Sequence, residues 1–323
     1  MSDAVILPSG SAQVIEVTGT DRLTHLDATT TQALADARPG LATATLVLDA
    51  NGNPLAMFDV LVLPDRLWLL TPGPDVSAVV MELIAGRTFL ADATFVSLDH
   101  VVVQTAIPSD FAARAWSGAA VVPEPGTVRS TPSGDVAIAA DAAGVFTIAG
   151  PSAEVDRLLD ALRDAGAVDL DASGADAWRI ASGLPAWGVE VTPPHLPEEL
   201  GLLPTHVHLA KGCYPGQEAV ARMWMLGRPR RRLAQVHVDG TAAMLAALAP
   251  GTTLGDGRAT VTLATLAVPD ALAFVPGSAE VGEQLAPGEG ADVRVTVVAL
   301  IGDDPAPPGH DPAMRRRRDR PRA

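Results

Sequence analysis

The feature that most constrains the fold is an order of elements, two strands followed by a helix, that occurs twice. Each predicted helix repeats its apolar residues at helical spacing. The short sequences Leu-Leu-Thr-Pro and Ile-Ala-Gly-Pro precede the two helices at equivalent places, with little residue identity. The predicted strands span 55–63 and 67–71, then 136–140 and 144–149, and the helices span 75–84 and 151–165. We therefore predict an α+β fold with two related halves, each a sheet with helices on one face.

The remaining chain divides by its turn signals. Residues 22–26 are predicted as a helix capped by Thr20-Asp21, and a strand at 44–49 is predicted to turn back at Asn51-Gly52. The stretch 108–135 is rich in Gly, Pro and Ser, which predicts a loop interrupted by no more than one short strand.

The C-terminal third has a different pattern, with short strands separated by glycine turns. This pattern predicts a small antiparallel barrel. Its strands are expected at 234–238, 260–266, 272–275 and 293–300. The expected domains are an α+β region at 1–228 containing both halves, the barrel at 229–302, and a disordered Pro- and Arg-rich tail at 303–323.

Composition excludes several classes of function. The net charge of −15 argues against a nucleic-acid backbone as partner, except through the arginine-rich tail, which can contact RNA or an acidic protein. No apolar run has the length of a membrane span, and no signal peptide is evident, so we expect no membrane partner and a cytoplasmic location. His206 and His208 alternate on a segment predicted to be extended, but no further ligand residues stand beside them, so no metal is expected.

Residues 211–218, Lys-Gly-Cys-Tyr-Pro-Gly-Gln-Glu, concentrate reactive groups in a conformationally special loop. They contain the only cysteine, Cys213, and the only tyrosine, Tyr214. A helix is predicted over 219–223, which places Cys213 just ahead of a helix N-terminus, where the helix dipole and Lys211 would favour a thiolate. The alternative is a small buried cysteine with a packing role. The surrounding Gly, Pro and polar residues favour function.

Two further segments carry candidate ligand groups. Asp59 lies in a strand that is otherwise apolar on both faces, so it is either an edge-strand residue turned to water or an acceptor for the N–H groups of a heterocycle such as a pterin. Trp187 offers a flat surface and Glu190 an acceptor, with glycines that allow close backbone approach. Trp187 fits equally well as a buried core residue.

The octapeptide resembles the K-G-C-Y-x-G-Q-E signature of the YgfZ-type folate-binding proteins, relatives of the glycine-cleavage T-protein, an aminomethyltransferase. The frame agrees over about residues 12–300: Arg-Ile at 179–180 with Gly-Leu-Pro at 183–185 and Gly-Val at 188–189 resembles R-I-x-x-G-x-P-x-x-G-V, and Leu-Pro-Glu-Glu at 196–199 resembles L-P-Q-E. Leu-Asp-Ala-Asn-Gly at 48–52 and Phe-Asp at 58–59 match the strand pair that carries a pterin-contacting carboxylate in the superfamily.

This resemblance implies a T-protein fold with two interlocked ferredoxin-like halves and a C-terminal antiparallel β-barrel. It implies tetrahydrofolate or a one-carbon derivative as cofactor and iron–sulfur enzymes, including tRNA-modifying ones, as clients for assembly or repair. The implied catalytic residues are Cys213 and Lys211, and the implied folate contacts are Asp59, Glu190, Trp187, Tyr214, Gln217 and Glu218. The family often has R-I-E-A-G, whereas Ala181 and Ser182 stand here, so one customary carboxylate is missing.

Three other functions fit parts of the sequence. A true aminomethyltransferase would transfer a one-carbon unit to tetrahydrofolate, with Asp59 orienting the folate. T-proteins lack the cysteine octapeptide, which ranks this alternative second, ahead of a demethylase of the same fold. A scaffold without ligand would leave the strand carboxylate and the cysteine loop unexplained.

Overall fold

A computed structural model describes residues 4–141, 144–226, 229–255, 260–285 and 293–302. The chain forms two compact units. The first contains residues up to 48, 55–175 and 210–215, and the second contains 49–54, 176–209 and the chain from 216 onward. Residues 176–209 thus group with the C-terminal part, whereas the sequence places the boundary at 229. The predicted domain division stays a prediction.

The first unit contains two β-sheets and most of the helices. Its strands are β1 (Val5–Ile6), β2 (Gln13–Thr18), β3 (Ala42–Leu48), β4 (Pro54–Val62), β5 (Leu67–Thr71), β6 (Thr94–Leu98), β7 (Val101–Ala106), β8 (Thr127–Ser130), β9 (Ala137–Ala140), β10 (Val145–Gly150) and β11 (Val168–Asp169). Its helices are α1 (Arg22–Thr29), α2 (Pro74–Leu83), α3 (Ser109–Ala115) and α4 (Ser152–Asp164), with a 3₁₀ turn at Ala85–Arg87; α5 (Ala172–Ser182) continues into the second unit.

The two sheets of the first unit pack face to face. The first has the strand order β3-β4-β5-β2-β6, and the second has the order β11-β1-β7-β10-β9-β8. One apolar cluster draws on both sheets, with Leu61 and Leu70 from the first and Val128 and Ala139 from the second. A separate cluster buries α3 and α4 on the second sheet, and α2 contacts β2 and β5 of the first. A polar side chain in the layer between the two sheets would therefore have mainly apolar neighbours.

The second unit contains a six-stranded antiparallel sheet. Its strands are β12 (Arg231–Asp239), β13 (Thr253–Leu254), β14 (Val261–Ala267), β15 (Asp270–Pro276), β16 (Gln284–Leu285) and β17 (Arg294–Leu300), in the order β13-β14-β15-β12-β17-β16. Its helices are α6 (Leu203–His206), α7 (Gln217–Leu226) and α8 (Ala242–Ala246). One face of the sheet forms an apolar core. The described pairings run in one open order, so the predicted antiparallel strands are confirmed and closure into a barrel stays a prediction.

The repeated strand–strand–helix order is confirmed. β4 pairs with β5 and β9 pairs with β10, both antiparallel, and α2 and α4 follow at the predicted places. The hairpin turn at Asn51-Gly52 is also confirmed, since Gly52 has φ +85 and the N–H groups of Asn51 and Asn53 both donate to the Asp49 carboxylate. These hydrogen bonds outweigh the opposing effect of burial and lower the pKa of Asp49.

Two sequence predictions were wrong in part, and strands before residue 40 were missed. The stretch 108–135 contains a helix, α3, because Ala112 and Trp116 form a buried face and the Trp116 indole donates to the Leu158 carbonyl. The region before residue 40 also contains the strand β2, whose apolar residues occupy the middle of a sheet. The α1 helix begins as predicted at Arg22, but the Asp21 side chain accepts from the Asp92 N–H rather than capping α1.

The predicted tail at 303–323 lies outside the described residues. Within the described residues, no helix combines the length and apolar character that crossing a membrane requires.

Candidate functional site

Asp59 lies on an interior strand. β4 stands between β3 and β5, so the interpretation of Asp59 as an edge-strand residue is wrong. Its neighbours Phe58 and Val60 are buried on one face of the sheet, and Asp59 shares the other face with Leu61. Leu70 is its cross-strand partner, and both leucines belong to the apolar layer between the two sheets. Asp59 is therefore a carboxyl group on the inter-sheet face of the first unit.

The environment of Asp59 changes its acid strength. Burial raises the pKa of its carboxyl group from 3.8 to about 7, and the negative charge of Asp141, directly after β9, contributes to the same shift. Nevertheless the side chain keeps partial contact with solvent. No hydrogen bond or ion pair from another described residue reaches its oxygens. Near neutral pH this group can therefore hold or release a proton, and it is available to a ligand.

The cysteine loop has buried residues on both sides of an exposed thiol. Cys213 is exposed, whereas Tyr214 is buried and burial raises the pKa of its hydroxyl to about 12. The Lys211 side chain is 2% exposed. Its Nζ donates to the carbonyl oxygens of Asp27, Thr30 (2.9 Å) and Gln32 (2.7 Å). Desolvation, opposed in part by Asp27, lowers the pKa of Lys211.

The helix predicted at 219–223 is confirmed, and it begins inside the octapeptide at Gln217, four residues after Cys213. The octapeptide is divided between the units: residues 211–215 belong to the first, and Gly216, Gln217 and Glu218 to the second. Gln217 is partly buried and Glu218 is exposed in the first turn of α7. Their roles as folate contacts, and the thiolate character of Cys213, stay predictions.

Glu190 is fully buried in the second unit and already has donors. One carboxylate oxygen accepts from Arg179 Nη1 at 2.8 Å and from the Ala186 N–H at 2.9 Å. The other accepts from the Thr265 hydroxyl, and Arg179 Nη2 donates to the same hydroxyl at 2.9 Å. This arrangement is a buried ion pair with its hydrogen bonds satisfied, which is typical of a structural link. The predicted role of Glu190 as a folate contact stays a prediction.

Trp187 is partly buried and forms an isolated β-bridge with Val191. Trp187 is therefore not a fully buried core residue. The expectation for the histidines was wrong in its geometry, because His206 ends the helix α6 instead of alternating with His208 on an extended segment. Burial lowers the pKa of His206 to about 4. No group of three or more His, Cys, Asp or Glu among the described residues is placed to hold a metal ion.

Sequence reasoning missed a cleft of about 400 Å³ in the second unit, lined by His195, Arg231 and Phe274 among others. The His195 and Phe274 rings stack with centroids 4.1 Å apart, and the Arg231 guanidinium lies 5.5 Å from the Phe274 ring centre. Burial and the charge of Arg231 lower the pKa of His195 to about 4. Arg231 also lies 3.4 Å from a Glu199 oxygen. No sequence signal joins these residues, which come from distant segments.

Comparison with known proteins identifies the fold. No protein-family model matches the sequence, and no curated protein sequence matches it. Among solved structures, the glycine cleavage system aminomethyltransferase T from Bartonella henselae is similar, with a TM-score of 0.76, 18% identity, and coverage of 94% of this chain and 87% of that one. This chain therefore has the T-protein fold. A chain of heterotetrameric sarcosine oxidase from Corynebacterium sp. U-96 also matches, at 14% identity over 52% of this chain and 88% of that one. Its TM-score of 0.37 is too low to indicate a shared fold.

Proposed function

We propose that this protein binds tetrahydrofolate or a one-carbon derivative of it, with Asp59 as the acceptor for pterin N–H groups. The observation that carries the proposal is a partly accessible carboxyl group on the inter-sheet face with no partner among the described residues. A buried carboxyl group without a partner is costly, and a ligand with paired N–H donors would remove that cost. The T-protein fold and the octapeptide support the same ligand.

The candidate residues fit this cofactor unequally. Asp59 can accept hydrogen bonds, and with its raised pKa it can hold a proton at one oxygen near neutral pH. Glu190 has both oxygens engaged by internal donors, so it would contact folate only by sharing or exchanging one of them. Trp187, Tyr214, Gln217 and Glu218 stay proposed contacts. When bound, reduced folate would supply a carrier for a one-carbon group.

We propose further that the protein serves the assembly or repair of iron–sulfur enzymes, including those that modify tRNA, and that Cys213 is the residue that acts there. The support is the octapeptide and the exposure of the thiol. Cys213→Ser is expected to leave folding and folate affinity unchanged and to fail in restoring iron–sulfur enzyme activity to cells that lack the protein. Full restoration by the serine variant would remove Cys213 from the function.

Calorimetric titration of tetrahydrofolate under anaerobic conditions tests the folate proposal. Asp59→Asn keeps the size of the side chain, and loss of one charge-assisted hydrogen bond is expected to weaken binding by ~1–3 kcal/mol, roughly 5- to 150-fold. Asp36→Asn, an exposed aspartate of the same unit, is the matched control and should bind as the wild type does. Equal affinity in all three proteins would exclude Asp59 from the site, and no binding to the wild type would exclude the ligand.

The alternative is a folate-dependent aminomethyltransferase, which the T-protein fold favours. It predicts turnover with an aminomethyl-lipoyl carrier and tetrahydrofolate that survives Cys213→Ser. The first proposal predicts no such turnover, so one assay separates them.

We also propose that the two sheets of the first unit correspond to interlocked ferredoxin-like halves. The support is the repeated order β4-β5-α2 and β9-β10-α4, together with β1, which joins the second sheet although it precedes the first.

A further inference from the structure

Lys211 is the only lysine in a chain that contains 22 arginines. A chain that uses arginine almost everywhere has its lysine at a position where the cation is nearly buried. An ammonium group is a compact charge with three N–H donors, whereas a guanidinium group is planar and carries five. The contacts of Lys211 match the smaller group, because three carbonyl oxygens accept from Nζ.

These three carbonyls come from one short segment at the C-terminal end of α1. Asp27 lies in the last turn, and Thr30 and Gln32 follow the helix. The last carbonyls of a helix have no partners within it and carry the negative end of the helix dipole, so a cation there is stabilising. The Asp27 carboxylate lies 3.5 Å from Nζ and also accepts from the N–H groups of Leu34 (2.7 Å) and Ala35 (3.2 Å). Lys211 thus joins the cysteine loop to a segment that is held together by its own hydrogen bonds.

We propose that Lys211 is a positioning residue: it fixes the Cys213 loop on the C-terminal end of α1, and its amine takes no part in chemistry. Tyr214 holds the other side of the loop by burial, with its ring 5.5 Å from Nζ. The two residues between Lys211 and Tyr214, which are Gly212 and Cys213, are both exposed. This proposal rests on the proposed function only because Cys213 is the residue that would act there. The positioning role replaces the catalytic role that the sequence predicts for Lys211.

Amine acetylation of the wild-type protein tests this proposal without a substitution. The chain offers two amines, the N-terminus and Lys211. A caged amine reacts only when the structure opens locally, so we expect Lys211 to be acetylated about 100-fold more slowly than in the urea-unfolded protein, as followed by mass spectrometry. A catalytic lysine must reach a substrate, and its lowered pKa would make an accessible amine react faster. Rapid acetylation of Lys211 in the folded protein would overturn the proposal.

Two variants, Lys211→Met and Lys211→Arg, provide the second readout. Because the chain has one cysteine, iodoacetamide and iodoacetate both report Cys213 alone. If the lysine charge is committed to α1, both variants change the two alkylation rates by a common factor and speed amide hydrogen exchange in segments 27–35 and 211–215. If instead the charge acts on the thiol, Lys211→Met slows the anionic reagent selectively and Lys211→Arg retains the wild-type ratio, which would refute the proposal. Neither measurement depends on folate binding, so the two proposals can fail separately.

Discussion

Replacing Asp59 with asparagine should stabilise the protein at alkaline pH and do so much less at acidic pH. The folded-state pKa of about 7 lies above the usual value of 3.8, so between these values the folded protein keeps a proton that the unfolded chain has lost. Any such group lowers stability as pH rises through that window, because ionisation is easier in the unfolded state. Asparagine is neutral throughout and removes this dependence.

The size of this stability difference depends on how much of the pH range between 3.8 and about 7 the experiment covers. From pH 5 to pH 8 the wild type passes through the last two pH units below 7, which at 1.36 kcal/mol each gives ~2.7 kcal/mol. Because the carboxyl group keeps some solvent contact, we expect ~1.5–2.5 kcal/mol. The free energy of unfolding can be measured by urea denaturation followed by tryptophan fluorescence. The difference between the variant and the wild type should be ~1.5–2.5 kcal/mol more favourable to the variant at pH 8 than at pH 5.

The comparison between two pH values removes any constant effect of the substitution on packing. Asp36→Asn is again the control, and its difference from the wild type should change by less than about 0.5 kcal/mol, as is usual for surface sites. If Asp59→Asn behaves like this control, Asp59 is not a desolvated acid and the argument for an available carboxyl group at the inter-sheet face fails.

Two further substitutions test the packing around the candidate residues. Glu190→Gln removes the buried counter-charge of the Arg179 guanidinium and leaves only the exposed Asp176 carboxylate at 3.5 Å, so it should lower the free energy of unfolding by ~2–4 kcal/mol; a loss below about 0.5 kcal/mol in urea denaturation would mean that the pair is not a structural link. Gly52→Ala forces a side chain onto a positive φ and brings its Cβ to 2.9 Å from that of Ala219, so a loss of ~1–3 kcal/mol is expected in thermal unfolding; a neutral result would show that the hairpin turn relaxes freely.

Local signals in the sequence predicted the elements that depend on local chemistry. The strand β5 and the helix α2 follow from apolar spacing, and the hairpin turn follows from Asn51-Gly52. The helix α3 was missed because its segment begins after Pro108 and is followed by glycine and proline, which are loop signals. What stabilises it is the contact of Trp116 with a helix more than forty residues away, and no local pattern reports that.

The two candidate carboxylates show where sequence reasoning reaches its limit. Asp59 and Glu190 each follow apolar residues, and the same family resemblance assigned both to folate. In the structure one lacks a partner among the described residues and has a pKa of about 7, while the other is saturated by Arg179 and Thr265. Thr265 is distant in sequence and stands at an irregularity of β14, so its donor could not be anticipated. A motif specifies which residue types are present, but only the partners supplied by distant segments decide whether a carboxylate is free for a ligand or committed to the fold.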